Sequence, residues 1–342
     1  MRVSTKEVRK VVDELEWLVK LYKKENPAPK RDWRTYEQQL ARRLKFAIAW
    51  FEPLIDKAIT TLQICNANNA GRKPTLSLKQ RTVLLLIKHL FAKSNREMSV
   101  MLTLFSLLST VDVSYKTIER LYSDEEVALV LHNLHMLILQ EKRLNESDAT
   151  GDGTGYTLSI KKHYASEVEK LKDKAKDSSK LAKAYKEKKK TAFVYSFALM
   201  DFKTRMYIAY GSSFKSEREA YDKAMAMAQE TGIKLKSIRL DRYYSAQKYA
   251  RELNKMFKGI TLYLIPKKNA TVKGPWNWKR TLARLAEDVM IYLKEYFQRN
   301  QSESGFSEDK RRFGWKIQQR KPETINTACA LTTIWHNLLW LG

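Results

Sequence analysis

Apolar side chains recur at steps of three and four through the first part of the chain. Val8, Val11, Val12, Leu15, Leu18 and Val19 form such a stripe. The spacing predicts an amphipathic helix over 5–24, and a similar pattern predicts another over 35–63. The stretch NPAP at 26–29 separates them, and CNANNAGRKPTLS at 65–77 reads as a linker. Three shorter helical segments follow at about 77–92, 95–108 and 114–121, the last opened by Ser114 as N-cap. TVDV lies between the second and third. A helix-turn-helix within 77–122 would turn Lys116, Thr117 and Arg120 toward a DNA groove. An ordinary helical bundle accounts for the same pattern.

After about residue 145 the pattern changes. FVYSFALM (193–200) and RMYIAY (205–210) read as strands, joined by DFKT as a hairpin turn. Residues 217–232 read as a helix stopped by Gly232, and 234–240 as a strand ending at Asp241. A helix (245–257), a strand (260–266), a long helical pattern (277–300) and a buried closing helix (324–341) complete the order. ESDATGDGTGYTL (146–158) is a cluster of Gly, Thr and Asp with the composition of a tight turn. The stretch 161–190 is rich in Lys and reads as a solvated insertion or a phosphate-facing arm. The prediction is an α/β protein: a helical region (1–141), then a mixed sheet with helices on its faces (142–342).

Charge narrows the function. Among 342 residues, Lys and Arg number 64 and the acids 38, a formal net charge of +26. That excess favours a polyanionic partner, because every phosphate neutralised releases counterions. The apolar share of 44% is that of a folded protein. Cys65 and Cys329 lack metal-type spacing and suit a reducing compartment. The first residues are charged throughout, and runs such as TVLLLI (82–87) are too short to span a bilayer. The expectation is a cytoplasmic, nucleoid-associated protein with no membrane partner.

Three acids stand where chemistry would want them. Asp241 ends a strand, a favoured place for functional groups in open sheets. Asp152 sits among glycines that let the backbone approach a ligand. Glu303 lies in YFQRNQSESGFSEDKRRFG (296–314). In one α-helix, Arg299, Glu303 and Lys310 would fall at roughly −60°, −20° and −40° from Tyr296, all on one narrow face. Each acid alone is more simply a cap, a turn or a solvated residue. Converging, three carboxylates could hold two divalent ions about 3.5–4 Å apart for in-line phosphoryl transfer, and oxygen ligands suit Mg²⁺ or Mn²⁺. Glu308 and Asp309 read as solvated. Asp148, in a second Asp-x-Thr, rivals Asp152 as first ligand. Trp276 and Trp278 could stack on an unpaired base or anchor the core. His132 and His135, three apart, read as packing or surface residues; His163 is a weaker catalytic candidate.

The spacing Tyr296-x2-Arg299-x3-Glu303-x6-Lys310, followed by KRRFG, resembles the signature of a large group of bacterial and archaeal insertion-sequence transposases of the DDE class. DGTGY (152–156) is similar to their first-Asp motif, IRLDRYYS (238–245) to their second-Asp strand, and IWHNLLW (334–340) to their closing helix. The resemblance covers about 145–342. It implies a ribonuclease-H-like catalytic domain with Asp152, Asp241 and Glu303 as catalytic, metal-binding triad for two Mg²⁺ or Mn²⁺ ions. It also implies that Tyr296, Arg299 and Lys310, with the adjoining Arg311, hold DNA. The helical region, with Lys116 and Arg120, would bind terminal inverted repeats, and a homodimer would join them to target DNA. The implied activity is cutting and joining of element ends. The alternatives are a nuclease on the same fold or an inactive, transposase-derived DNA-binding protein.

Overall fold

The computed structural model describes residues 3–27, 32–62, 75–105, 111–158, 193–319 and 321–342. Most of the predicted linker, Cys65, the Lys-rich stretch and His163 lie outside the described residues. Helices α1 (Thr5–Glu25), α2 (Trp33–Thr60), α3 (Leu78–Leu90), α4 (Asn95–Phe105), α5 (Tyr115–Leu121) and α6 (Glu125–Glu141) come first. Local chemistry sets their starts. Ser4 and Ser77 form capping boxes with Glu7 and Gln80, and Asp32, Ser114 and Asp124 accept from the free N–H groups of the helices that follow them. On α5, Ile118 and Leu121 are buried while Lys116 and Arg120 are exposed.

Strands β1 (Glu146–Leu158), β2 (Phe193–Asp201), β3 (Tyr207–Ser213), β4 (Lys234–Arg239), β5 (Thr261–Tyr263) and β6 (Lys316–Ile317) form one mixed sheet. Its order is β3-β2-β1-β4-β5, with β6 beside the end of β1. β2 runs antiparallel to β1 and β3, whereas β4, β5 and β6 continue parallel to their neighbours. Interleaved are α7 (Glu217–Glu230), α8 (Gln247–Met256), α9 (Trp276–Glu287), α10 (Val289–Tyr296), α11 (Asn300–Phe313) and α12 (Pro322–Leu341). The α/β arrangement is the expected one, with a helical N-terminal region followed by a mixed sheet. Among the described residues no helix is long and apolar enough to cross a membrane.

Three local expectations are corrected. The turn-like GDGTG is the middle of the central strand. Its glycines are there for clearance: a Cβ on Gly155 would stand 1.8 Å from the Phe193 ring, and one on Gly151 would stand 2.7 Å from both Leu240 and Phe197. The long helix over 277–300 is two helices, because Asp288 leaves helical geometry (φ −148°, ψ 102°) and caps α10 through Ile291 N–H at 2.9 Å. The helix expected over 296–314 is likewise interrupted, by a 3₁₀ turn at Phe297–Arg299.

The apolar core does not stop at residue 141. One buried cluster runs from Val8, Ile55, Leu85 and Leu134 to Phe197, Leu331 and Trp335. α12 joins the halves: Trp335 Nε1 donates to the Leu86 carbonyl at 2.9 Å, and His89 Nε2 meets Thr332 Oγ1 at 2.9 Å. A smaller cluster seats α1 against α9 and α10 through Leu15, Leu285, Tyr292, Leu293 and Tyr296.

Candidate functional site

Register alone brings two of the three acids level. β1 and β4 are parallel neighbours, with Thr150 opposite Arg239. Two residues further along each strand direction come Asp152 and Asp241, on chains about 4.8 Å apart. Asp241 is the first residue past β4 that is free of the ladder, and its side chain makes no cap bond to the 3₁₀ turn at Arg242–Tyr244. Asp148 lies four residues back, about 13 Å along the strand. It is held there by Ser237 Oγ at 2.6 Å and Lys203 Nζ at 3.0 Å.

Helix α11 brings the third acid across the face of the sheet. Ser302 hydrogen-bonds Thr150, and Lys310 Nζ donates to Thr154 Oγ1 at 2.6 Å. Thr150, Asp152, Thr154 and Tyr156 alternate onto one face of β1, so α11 lies along that face with Glu303 beside Asp152. Gly305 makes the fit possible. A Cβ there would come 2.5 Å from Met200 Cε and 2.9 Å from the Tyr207 hydroxyl, which offsets the roughly 1 kcal/mol that Gly costs a helix.

Two of the three acids pair with one cation, and the third acts on it through space. Arg299 Nη1 donates to Asp241 Oδ1 at 3.2 Å and Nη2 to Glu303 Oε1 at 2.5 Å. Burial alone would lower the Arg299 guanidinium, but Tyr296, Asp152, Asp241 and Glu303 outweigh it and raise it. Asp152 has the N–H of Gly153, at 2.9 Å, as its hydrogen-bond donor. Its carboxyl is pushed up to about 6, by burial above all and by Glu303 and Asp241, against the pull of Arg299 and the Gly153 N–H. Asp241 and Glu303 remain about half exposed, with 47% and 51% of their side-chain surface open, so the acids are reachable from solvent.

That raised Asp152 carboxyl has a consequence for stability. The native state keeps its proton to higher pH than the unfolded chain, so between 3.8 and about 6 it binds more protons. This contribution to stability therefore falls as pH rises through that window and stays low above it. Asp152→Asn removes it. Thermal melts should show the variant more stable than wild type at neutral pH, by about 1–3 kcal/mol, with the gain gone in acid. Equal stability at neutral pH would contradict a destabilised carboxylate.

The remaining sequence candidates separate. Tyr296 is 6% exposed, in the α1–α9–α10 cluster, yet its ring lies 5.8 Å from the Arg299 guanidinium; burial first, then the nearby Asp241, Asp152 and Glu303, push its hydroxyl up to about 12. The 3₁₀ turn after it changes the phase that an unbroken helix would have kept. Arg239, a residue that composition gave no reason to single out, is buried and bonds Glu295 at the end of α10, fixing where that turn begins. Arg311 is exposed. Lys310 lies over the rings of Tyr156 and Trp315, each at 5.2 Å. Glu308 and Asp309 are not solvated but buried: Glu308 pairs with Arg312 at 3.1 Å, and Asp309 faces the sheet and α12. Asp309 accepts from the Tyr207 hydroxyl and faces His336 Nδ1, both at 2.8 Å. The two tryptophans divide: Trp278 is core and donates to the Thr271 carbonyl at 2.9 Å, whereas Trp276 is 64% exposed beside Arg280. His135 is buried on the Ile208 carbonyl, and His132 is exposed.

The donor chemistry fits a hard divalent ion: three carboxylates with, among the described residues, no competing sulfur or imidazole, and one acid whose charge has no salt-bridge partner there. Among the described residues no group of three or more His, Cys, Asp and Glu side chains stands close enough to form a ready cage. In this arrangement the guanidinium of Arg299 is the cation that Asp241 and Glu303 share.

No protein-family model matches the chain, and no solved structure matches it. A protein of Archaeoglobus fulgidus described as a probable transposase for insertion sequence element ISA1214 is 39% identical over 340 residues, covering 98% of this chain and 96% of its own length. At that identity over nearly the whole of both chains, this protein belongs to the family of insertion-sequence transposases.

Proposed function

We propose that the chain is a DNA transposase of ribonuclease-H-like fold in which Asp152, Asp241 and Glu303 are the catalytic acids. The observation that carries the reading is their convergence, from β1, the end of β4 and α11, about the single guanidinium of Arg299. The strand order, three antiparallel strands followed by two parallel ones, supports the fold assignment. Bound Mg²⁺ or Mn²⁺, as two ions, would supply charge to activate the attacking oxygen and stabilise the leaving one. The chain itself does the rest. Asp152, Asp241 and Glu303 provide the oxygen ligands. Arg299 and Lys310, beside the acids, grip the scissile phosphate through charge-assisted hydrogen bonds. Water attacks the phosphorus at the element's end, the P–O3′ bond breaks, and the freed 3′-hydroxyl attacks target DNA in turn. Each attack exchanges one P–O bond for another, so no covalent enzyme adduct is needed. Exposed Lys116 and Arg120 on α5 suit phosphate contacts to the terminal repeats, and two copies would pair the two ends.

The test uses the purified protein, a plasmid carrying the element's inverted repeats and Mg²⁺. Joined strand-transfer products are expected. Cuts without joining would mean a nuclease on this fold, and binding without cuts an inactive relative; either result overturns the proposal.

A further inference from the structure

On α11, Ser304, Glu308 and Arg311 fall roughly 80–140° around the helix from Glu303. They line one wall of a cleft of about 310 Å³, whose other walls include Thr35 and Arg43 on α2, Arg205 in the turn between β2 and β3, and Trp340 on α12. We propose that this cleft is a second binding site for the phosphodiester backbone of DNA. The proposal rests on the DNA-transposase reading and extends it to residues outside the acid site.

The charge balance of the cleft is one-sided. Its acids are already engaged: Glu308 pairs with Arg312 at 3.1 Å, and Asp32 caps α2 by accepting from Arg34 N–H at 3.0 Å and the Thr35 hydroxyl at 2.5 Å. Among the described residues, Arg43, Arg205 and Arg311 form no ion pair with a carboxylate. Burial lowers the Arg43 guanidinium; Glu308 raises it, and Arg205 and Arg312 lower it again. Like charges are therefore crowded here, and an anion would relieve them. One donor of the cleft also lacks an acceptor: among the described residues, Arg205 Nε is buried with no hydrogen-bond partner. Buried donors are normally satisfied, so an orphaned one points to an absent acceptor.

The guanidinia are held in place. Arg43 lies 3.6 Å and Arg205 4.3 Å from the centre of the Trp340 ring, which fixes their planes and reduces the entropy lost on binding. Arg205 is kept in a left-handed backbone conformation, φ 61°, a costly geometry for a residue with a Cβ. Its N–H donates to the Asp201 carbonyl at 2.8 Å, and its carbonyl meets His336 Nε2 at 2.8 Å. Planar guanidinium forks match two phosphate oxygens at once. Because Ser304 follows Glu303 directly, a duplex lying over the acids would continue across α11 into this cleft.

The experiment measures duplex binding against salt concentration for wild type, Arg43→Gln, Arg205→Gln and Gln39→Arg, with folding checked by thermal melts. Each phosphate contact contributes a slope of about −0.9 in log affinity against log salt. Each Arg→Gln variant should lose about that much slope and weaken binding equally on repeat and unrelated duplexes. Gln39→Arg, at the exposed rim of the cleft, should steepen the slope. Folded variants with the wild-type slope overturn the cleft while leaving the transposase reading intact. Wild-type protein that fails to bind any duplex sinks that reading itself. If both Arg→Gln variants misfold, Gln39→Arg decides.

Discussion

Asp241→Asn is expected to lower end cleavage on the order of 10³-fold or more, while duplex DNA binds as well as before or better. The substitution keeps the shape of the side chain and removes its charge. Losing several kcal/mol of transition-state charge stabilisation corresponds to that factor. Binding should not suffer, because Asp241 is about half exposed beside Arg299 and outside the apolar core. One negative charge fewer next to a phosphate favours the complex. A labelled duplex carrying the element's end gives the cleavage rate, and a gel shift gives the affinity. Unchanged cleavage would remove Asp241 from the site. Asp148→Asn is the matched control: that carboxylate is tied to Ser237 and Lys203, away from Arg299, and its loss should leave cleavage near the wild-type rate. Should Asp148→Asn be the variant that stops cleavage, the first ligand has been misplaced by four residues.

What the sequence made legible was periodicity and spacing. The stripe from Val8 to Val19, the two strand-like runs at 193–200 and 205–210 and Gly232 each predicted their elements, and Gly232 does take φ 69° after α7. Asp241 was legible because a strand pattern ended there. β1 was not, because the property that fits it to the sheet centre is small side-chain volume against Leu240 and Phe193, which composition shows only as turn residues. The break at Asp288 was hidden for a related reason. The apolar pattern continues on both sides, and the interruption depends on a cap that tertiary packing selects. The periodic argument that put Tyr296, Arg299, Glu303 and Lys310 on one face assumed an unbroken helix. It placed the last three usefully because Arg299 and Glu303 still pair across one turn. It could not show that Tyr296, beside Arg299, would be buried, because the residues that cover it include Leu15 of α1, far away in the sequence. Arg239 and Arg205 were invisible for the same reason: their partners are set by the fold and not by spacing.

The acids at 308 and 309 show how far burial can depart from composition, and Asp309 gives the largest expected stability effect. It is 1% exposed. One carboxylate oxygen accepts from the Tyr207 hydroxyl and the other faces His336 Nδ1, while His336 Nε2 meets the Arg205 carbonyl. A carbonyl only accepts, so Nε2 must be the donor to it. Asn337 completes the set by bonding both backbone groups of Tyr207, at 2.7 and 2.8 Å. These contacts clamp α11 to β3 and α12 where Gly305 allows close approach. Asp309→Ala leaves a buried phenol and a buried imidazole nitrogen without these partners and opens a cavity. The expected loss is about 3–5 kcal/mol, read from the urea midpoint. Asp309→Asn keeps the volume and an acceptor for Tyr207, so it should lose less, about 1–2 kcal/mol. An alanine variant within about 1 kcal/mol of wild type would mean the network is not what seats α11. Since Glu303 and Lys310 ride on that helix, the placement of the third acid would then need another explanation.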